Sequence, residues 1–356
     1  EVERELTPRF TELGQQVREP RDDMAKSPPP AGDNRIRTCR ILTDGKAGDL
    51  VQCLGLAQAL GLEADIRTIV PRRLFAFFMP FGPIDPRDGP KCPGSPVGPP
   101  FPDLAIASGR RSAAYLRALK KASQGRTFTV FLKDPRIGAK AADFIWVPGH
   151  DRLRGDNVMV TLTSPHGISP LRLAAARKAP PDFIGRASRP RVAILLGGDS
   201  AHYRFDEDAN RRLGEALAQI RASHPSASFL VTPSRRTPEA TLQLVRQALA
   251  GANCFIWDGG GENPYVALLA NADFLIVTAD SANMVSEALC AGVPVYVFEP
   301  AGGSPKFTRF LSALKAQGLV RILAGDLQPF ECAPVDATPQ IADEIARRFA
   351  ARRRLA

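Results

Sequence analysis

Short apolar runs alternate along this chain with stretches whose apolar residues recur every three or four positions. In the first half, Cys39–Leu42, Ala64–Val70, Leu104–Ala107, Thr127–Leu132, Phe144–Val147 and Val158–Leu162 read as strands. Leu50–Leu60, Ser112–Lys121 and Pro170–Lys178 read as helices. Residues 80–102 are crowded with Pro and Gly and predict a long loop. Ala179-Pro180-Pro181 and Arg189-Pro190 bracket a linker, after which the pattern restarts. Strands are expected at Val192–Leu196, Ser228–Val231, Cys254–Trp257, Phe274–Val277 and Val293–Phe298. Helices are expected at Asp206–Ala222, Glu239–Leu249, Pro264–Ala270 and Ala282–Ala291. Nearly continuous apolar strands are those buried on both faces of a parallel sheet. The expected fold class is therefore α/β: two Rossmann-like, doubly wound domains facing a cleft. The expected organisation is a disordered tail over 1–35, domains over 36–185 and 186–335, and a C-terminal helix over 336–356.

Composition narrows the function classes. The longest greasy run, Phe75–Met79, falls far short of the ~18 apolar residues of a spanning helix. Six cysteines without a C-x-x-C pair and four scattered histidines form neither a disulfide framework nor a zinc site, so no metal is expected. Residues 1–35 lack the apolar core of a secretory signal, and acidic residues at 1, 3, 5 and 12 argue against a mitochondrial transit peptide. The net charge of +10 implies acidic partners. Its densest cluster is Arg347-Arg348 and Arg352-Arg353-Arg354, which suits an anionic membrane surface. No basic stripe is interleaved with aromatics, so nucleic acid is not an expected partner.

In open α/β sheets, ligands bind beyond the carboxyl ends of the strands. Four loops there carry chemistry. Thr43-Asp44-Gly45-Lys46-Ala47-Gly48-Asp49 has glycines that let backbone approach a ligand and a helix start that offers N–H groups to an anion. It is neither a P-loop nor a G-x-G-x-x-G loop, which weighs against a nicotinamide-dependent epimerase. Gly197-Gly198-Asp199-Ser200 places glycines and a hydroxyl after a strand, as phosphate binding requires. Arg235 and Arg236, after the next strand, could clamp a diphosphate. In Thr278-Ala279-Asp280-Ser281-Ala282-Asn283-Met284 a helix opens at about Ser281, where amides and dipole favour phosphate. Glu287, six positions on, could accept the hydroxyls of a ribose. Lys133-Asp134-Pro135-Arg136 follows a first-half strand, and His150-Asp151 could form a proton-transferring pair. Each of these also reads as an ordinary turn, a capped helix or a surface His.

Several motifs together resemble the mitochondrial fission ELM family and its bacterial relatives. They are Asp44-Gly45-Lys46-x-Gly48-x-x-x-Gln52, Ser108-Gly109-Arg110, Asp134-Pro135-Arg136, Pro148-x-His150-Asp151, Gly197-Gly198, Asn263-Pro264-Tyr265 and Thr278-x-Asp280-Ser281-x-Asn283-Met284-x-Ser286-Glu287. That family in turn resembles GT-B glycosyltransferases. The resemblance implies a second domain that holds a nucleotide-sugar donor through Gly197, Gly198, Ser200, Arg235, Arg236, Asp280, Ser281, Asn283, Met284 and Glu287. It implies a first domain that takes the acceptor at Asp44, Gly45, Lys46, Gly48, Gln52, Asp134 and Arg136. Family members commonly carry His where this chain has Asp49. Asp49 is the candidate base and His150 the second choice. No cofactor is implied beyond the nucleotide-diphosphate sugar as co-substrate. The acceptor would be lipid-linked at an anionic membrane, with the protein cytoplasmic and peripheral at the membrane's inner face. The alternative is a non-enzymatic peripheral adaptor in mitochondrial fission, on the mitochondrial outer surface.

Overall fold

The computed structural model describes residues 35–355. The expected tail over 1–35 lies, apart from Arg35, outside the described residues. The first sheet is built from β1 (Cys39–Thr43), β2 (Ala64–Thr68), β3 (Leu104–Ser108), β4 (Phe128–Leu132), β5 (Phe144–Pro148) and β6 (Val158–Thr161). All pairings are parallel, in the order β2-β1-β3-β4-β5-β6. Its helices are α1 (Ala47–Ala59), α2 (Arg73–Phe78) and α3 (Ser112–Ala122). β1, β3, β4 and β5 are buried at every position. Ile41, Ile106 and Val130 point into one core and Leu42, Ala107 and Phe131 into the other, the two-residue period of a strand covered on both faces.

After α4 (Pro170–Lys178) and α5 (Asp182–Gly185) the pattern repeats. β7 (Arg191–Leu196), β8 (Tyr203–Arg204), α6 (Glu207–Ser223), β9 (Ser228–Pro233), α7 (Glu239–Ala248), β10 (Asn253–Ile256) and α8 (Tyr265–Asn271) come first. Then follow β11 (Phe274–Thr278), α9 (Ala282–Leu289), β12 (Val295–Phe298), β13 (Ala301–Gly302), α10 (Pro305–Ala316), β14 (Arg321–Ile322) and α11 (Thr338–Leu355). The second sheet runs β10-β9-β7-β11-β12-β14, again parallel, which is the 3-2-1-4-5-6 order of a doubly wound sheet. β8 and β13 form a separate antiparallel ribbon. The α/β, two-sheet, GT-B-like architecture expected from the sequence is present.

Strand order reverses between β1 and β3 in one sheet and between β7 and β11 in the other. Ligand crevices form at such switch points, beyond the strands' carboxyl ends. The loops after β1, β3, β7 and β11 are therefore the places to look for a site.

Six elements, α2, α5, β8, β13, α10 and β14, escape the sequence pattern. α2 spans six residues, too few to show a helical period, and the strands of the β8–β13 ribbon are two residues each. β14 is equally short. α10 has clear signals, with Ser304 capping the Phe307 amide at 3.4 Å and Pro305 at its first position. α1 opens three residues before the expected Leu50, so Asp49 lies within its first turn.

The C-terminal helix corrects an expectation about charge. α11 returns to the first sheet and buries Ile341, Ile345 and Phe349 against it, Phe349 meeting Phe128 edge-on at 6.0 Å. Its arginines are engaged within the chain. Arg347 and Arg348 hold Glu344 at 2.7 and 2.6 Å, Arg352 reaches Asp143 at 2.8 Å and Arg353 reaches Asp103 at 2.7 Å. Of this cluster, Arg354 alone makes no ion pair among the described residues. These charges stabilise the fold and are not a free basic tail.

Candidate active site

The β1–α1 loop turns at Gly45, whose φ of +88° is a left-handed conformation that glycine adopts without strain. Thr43 Oγ1 accepts the Gly45 amide at 3.2 Å. The Asp44 carboxylate lies buried beneath Gly109, where an added Cβ would come within 2.8 Å of it. Its Oδ1 has no hydrogen-bond partner, and Lys46 Nζ stands 3.7 Å from Oδ2. Asp49 is buried and its carboxylate is paired with the Lys133 ammonium. Lys133 and Arg136 flank Asp134-Pro135 with φ of +73° and +62°. Such conformations are costly in residues with side chains and gather at functional sites.

The second-lobe wall is the β11–α9 turn. Ser281 caps α9, its Oγ accepting the Met284 amide at 3.3 Å. The earlier amides of that turn have no partner within the helix. Asn283 faces the first lobe. Its Oδ1 accepts from Gln52 Nε2 at 2.8 Å, and its Nδ2 donates to the Gly48 carbonyl at 3.2 Å. A Cβ at Gly48 would stand 3.3 Å from that nitrogen, so the glycine permits the approach. The buried Gln52 Oε1 has no partner. Met284 instead packs against the second lobe's core.

The Gly197–Gly198 turn is engaged internally. Gly197 N–H donates to Thr278 Oγ1 at 2.7 Å and Gly198 N–H to Asp280 Oδ2 at 3.0 Å. A Cβ at Gly197 would overlap the Asp280 carboxylate, and one at Gly198 would overlap the Arg236 backbone. The glycines thus admit Asp280 and the Arg236 segment. Arg236 holds Asp280 Oδ2 at 3.0 Å and the Asp199 carbonyl at 2.9 Å. Ser200 Oγ accepts the amides of His202 and Tyr203. Arg235 is exposed and makes no ion pair among the described residues. Neither arginine lines the cleft.

His150 and Asp151 do not pair with each other. Asp151 is held by Lys306 of α10, while the His150 ring sits edge-on to Phe310 at 5.9 Å with its buried Nδ1 unpartnered. Burial lowers the His150 pKa; Asp151 raises it, and Lys306, Arg309 and Lys133 lower it further. The imidazole is therefore neutral near pH 7. Glu287 accepts the Tyr265 hydroxyl at 2.5 Å. Burial raises its carboxyl to about 7, against the opposing pull of that hydrogen bond and of Arg172.

A cleft of about 720 Å³ opens between these walls. It brings together Lys46, Asp49, Asp134, Arg136, His150, Asp280, Ser281 and Asn283 of the sequence-derived residues. Lys133 and Arg110, noted in the motifs, also line it. Gly197, Gly198, Ser200, Arg235, Arg236, Met284 and Glu287 lie outside its lining. Among the described residues no cluster of three or more His, Cys, Asp or Glu side chains could hold a metal ion.

The family model described as Mitochondrial fission ELM1 matches residues 47–349. The chain belongs to the mitochondrial fission ELM1 family. It is 27% identical over 278 residues to Mitochondrial fission protein ELM1 of Arabidopsis thaliana, covering 70% of this chain and 65% of that protein. It is 26% identical over 282 residues to the uncharacterized protein RP120 of Rickettsia prowazekii, covering 68% and 79%. A solved structure of a putative UDP-N-acetylglucosamine 2-epimerase from Listeria monocytogenes superposes with a TM-score of 0.51 at 11% identity, covering 88% of this chain and 91% of that one. That likeness shows a shared two-lobed fold.

Within this family member the matched span begins at the first residue of α1 and ends in α11, so it contains every residue lining the cleft except Lys46. Lys306, Phe307 and His202 line the cleft without having been singled out in the sequence. They lie on or beside the β8–β13 ribbon and α10, elements the hydrophobic pattern did not register. The Ser-Pro start of α10 is the signal that could have found Lys306.

Proposed function

We propose that the chain is a glycosyltransferase moving a sugar from a nucleoside-diphosphate donor to an acceptor. Residues 186–335 would hold the donor and residues 36–185 the acceptor, with 336–356 closing back on the acceptor lobe. One observation carries this reading. The N-terminus of α9 opens into a cleft lined by Lys46 of the β1–α1 loop, Lys133 and Arg136 of the loop after β4, and Lys306 at the start of α10. A helix N-terminus facing converging cations suits a diphosphate.

In this mechanism an acceptor hydroxyl attacks the anomeric carbon and the nucleoside diphosphate leaves with the bonding pair. The leaving charge is neutralised by the α9 amides, the Ser281 region and Lys306, a preorganised electrostatic device. The acceptor's proton passes to a base at the cleft. Asp49 has one carboxylate oxygen committed to Lys133, whereas neutral His150 keeps a free lone pair, so His150 is the better base. Glu287 would meet the ribose while retaining Tyr265. The site lies at a membrane surface on the cytoplasmic side, where a lipid-linked acceptor would be presented. Calorimetry with UDP and UDP-sugars tests the reading: binding supports it, and silence from every nucleoside diphosphate overturns it.

The Asp49–Lys133 pair also favours a second reading, a family member that binds nucleotide but serves as a peripheral adaptor in mitochondrial fission without turnover. Binding of UDP-sugar without release of UDP in the presence of membrane extracts would select it.

A further inference from the structure

Six of the nine exposed large hydrophobic side chains among the described residues fall between positions 66 and 81: Ile66, Val70, Leu74, Phe77, Phe78 and Phe81. Four of them are more than two-thirds or nearly two-thirds exposed, with Val70 at 71%, Leu74 at 66%, Phe77 at 77% and Phe81 at 74%. Soluble surfaces scatter such residues singly; a run of this kind marks an interaction face. It lies on α2 and its flanks, remote in sequence from every motif used above.

Charge says what the face meets. From Ile66 to Ile84 the chain has no acidic residue and three arginines, Arg67, Arg72 and Arg73. Two more arginines are fixed beside the aromatic residues from the neighbouring lobe surface. Arg110 donates to the Ala76 carbonyl at 3.1 Å and Arg117 to the Pro80 carbonyl at 2.8 Å. Both are exposed and make no ion pair among the described residues, as does Arg73. Arg72 pairs with Asp85 at 2.7 Å and lies 5.0 Å over the Phe75 ring. The face therefore combines protruding aromatic rings with a rim of unneutralised guanidinium groups. Aromatic rings settle at the boundary of headgroup and acyl chain, and cationic residues beside them bind anionic headgroups.

We infer that this face, α2 with Phe77, Phe78 and Phe81 ringed by Arg73, Arg110 and Arg117, adsorbs the protein to an anionic phospholipid surface. Arg110 also lines the cleft, so the adsorbed face and the cleft mouth are contiguous. A second copy of this chain would carry the same positive rim, and like charges on the two rims would oppose that pairing. Adsorption needs no nucleotide, so this inference stands or falls separately from the transferase reading.

The test is co-sedimentation of the full chain with vesicles of phosphatidylcholine mixed equally with phosphatidylglycerol, and with phosphatidylcholine alone. The wild-type chain should pellet with the anionic vesicles, and added salt should weaken it. F77S/F81S should lower partitioning at least tenfold. R73E should lower partitioning on anionic vesicles only. Both variants should melt as the wild type does, since the altered side chains are exposed. R354E, at the free end of α11, should bind unchanged. Undiminished binding by F77S/F81S would overturn the inference. So would failure of the wild-type chain to adsorb while sedimentation velocity shows a dimer that F77S/F81S dissociates.

Discussion

Gln52 of α1 donates from Nε2 to Oδ1 of Asn283 on α9 across 2.8 Å, although the two stand 231 positions apart. The bond joins α1 of the first lobe to α9 of the second. It makes the two walls of the cleft one hydrogen-bonded unit, extended by Asn283 Nδ2 to the Gly48 carbonyl at 3.2 Å.

That contact should be energetically coupled. A double-mutant cycle of Q52A and N283A in urea should return about 1 kcal/mol of interaction, the ordinary worth of a buried hydrogen bond. Additive effects within a few tenths would show that the lobes meet there without interacting.

Asp280 should be a structural keystone. Its side chain is fully buried, accepts the Gly198 amide and the Thr278 hydroxyl, and is held by Arg236. D280A leaves the buried Gly198 amide without its acceptor and removes the carboxylate that holds Arg236, an expected loss of about 2–3 kcal/mol. Urea unfolding measures it, and D280A unfolding at the wild-type midpoint would refute the assignment.

Glu287 should make stability depend on pH. Its folded value is raised from 4.5 to about 7. Between those values the folded chain keeps a proton that the unfolded chain releases, so stability is fully present below pH 4.5 and declines as pH rises through about 7. At about 1.4 kcal/mol per unit, the loss is about 3–4 kcal/mol. Thermal melts at stepped pH should show the decline in the wild type and a flatter profile in E287Q, which still accepts from Tyr265. Equal slopes would contradict it.

If His150 takes the acceptor's proton, transfer should fall on the acid side, below the ordinary His value of 6.5, because burial lowers its pKa. H150N should remove that limb and reduce turnover by about 100- to 10,000-fold. Rate-against-pH profiles decide it; an unchanged acid limb in H150N would move the role to Asp49.

Much of this arrangement is legible in the sequence because buried parallel strands leave continuous apolar runs and because strand-end loops can be found once strands are placed. The β1–α1 loop and the β11–α9 turn stand out that way, and both line the cleft. What escaped depends on contacts distant in sequence. Gly197-Gly198 reads as a phosphate cradle, but only the fold reveals that Asp280 already occupies its amides. Arg236 reads as a clamp, but its charge is spent on Asp280. The Arg352 and Arg353 cluster reads as a free basic tail until α11 is seen to fold back onto Asp143 and Asp103. Phe75–Met79 reads as a greasy run too short to span a membrane, and nothing local says that Phe77 and Phe78 point outward. Lys306 lies on a helix start whose Ser-Pro signal was visible, but its partner Asp151 is 155 positions away.

The most direct test of the central claim is calorimetric titration of the purified full chain with UDP, repeated with N283D. The variant puts a carboxylate at the mouth of α9 without altering side-chain size. The expected result is saturable binding to the wild-type chain and a loss of at least tenfold in N283D. Equal affinity in both, or no heat from UDP or any other nucleoside diphosphate, would contradict a diphosphate site at that helix.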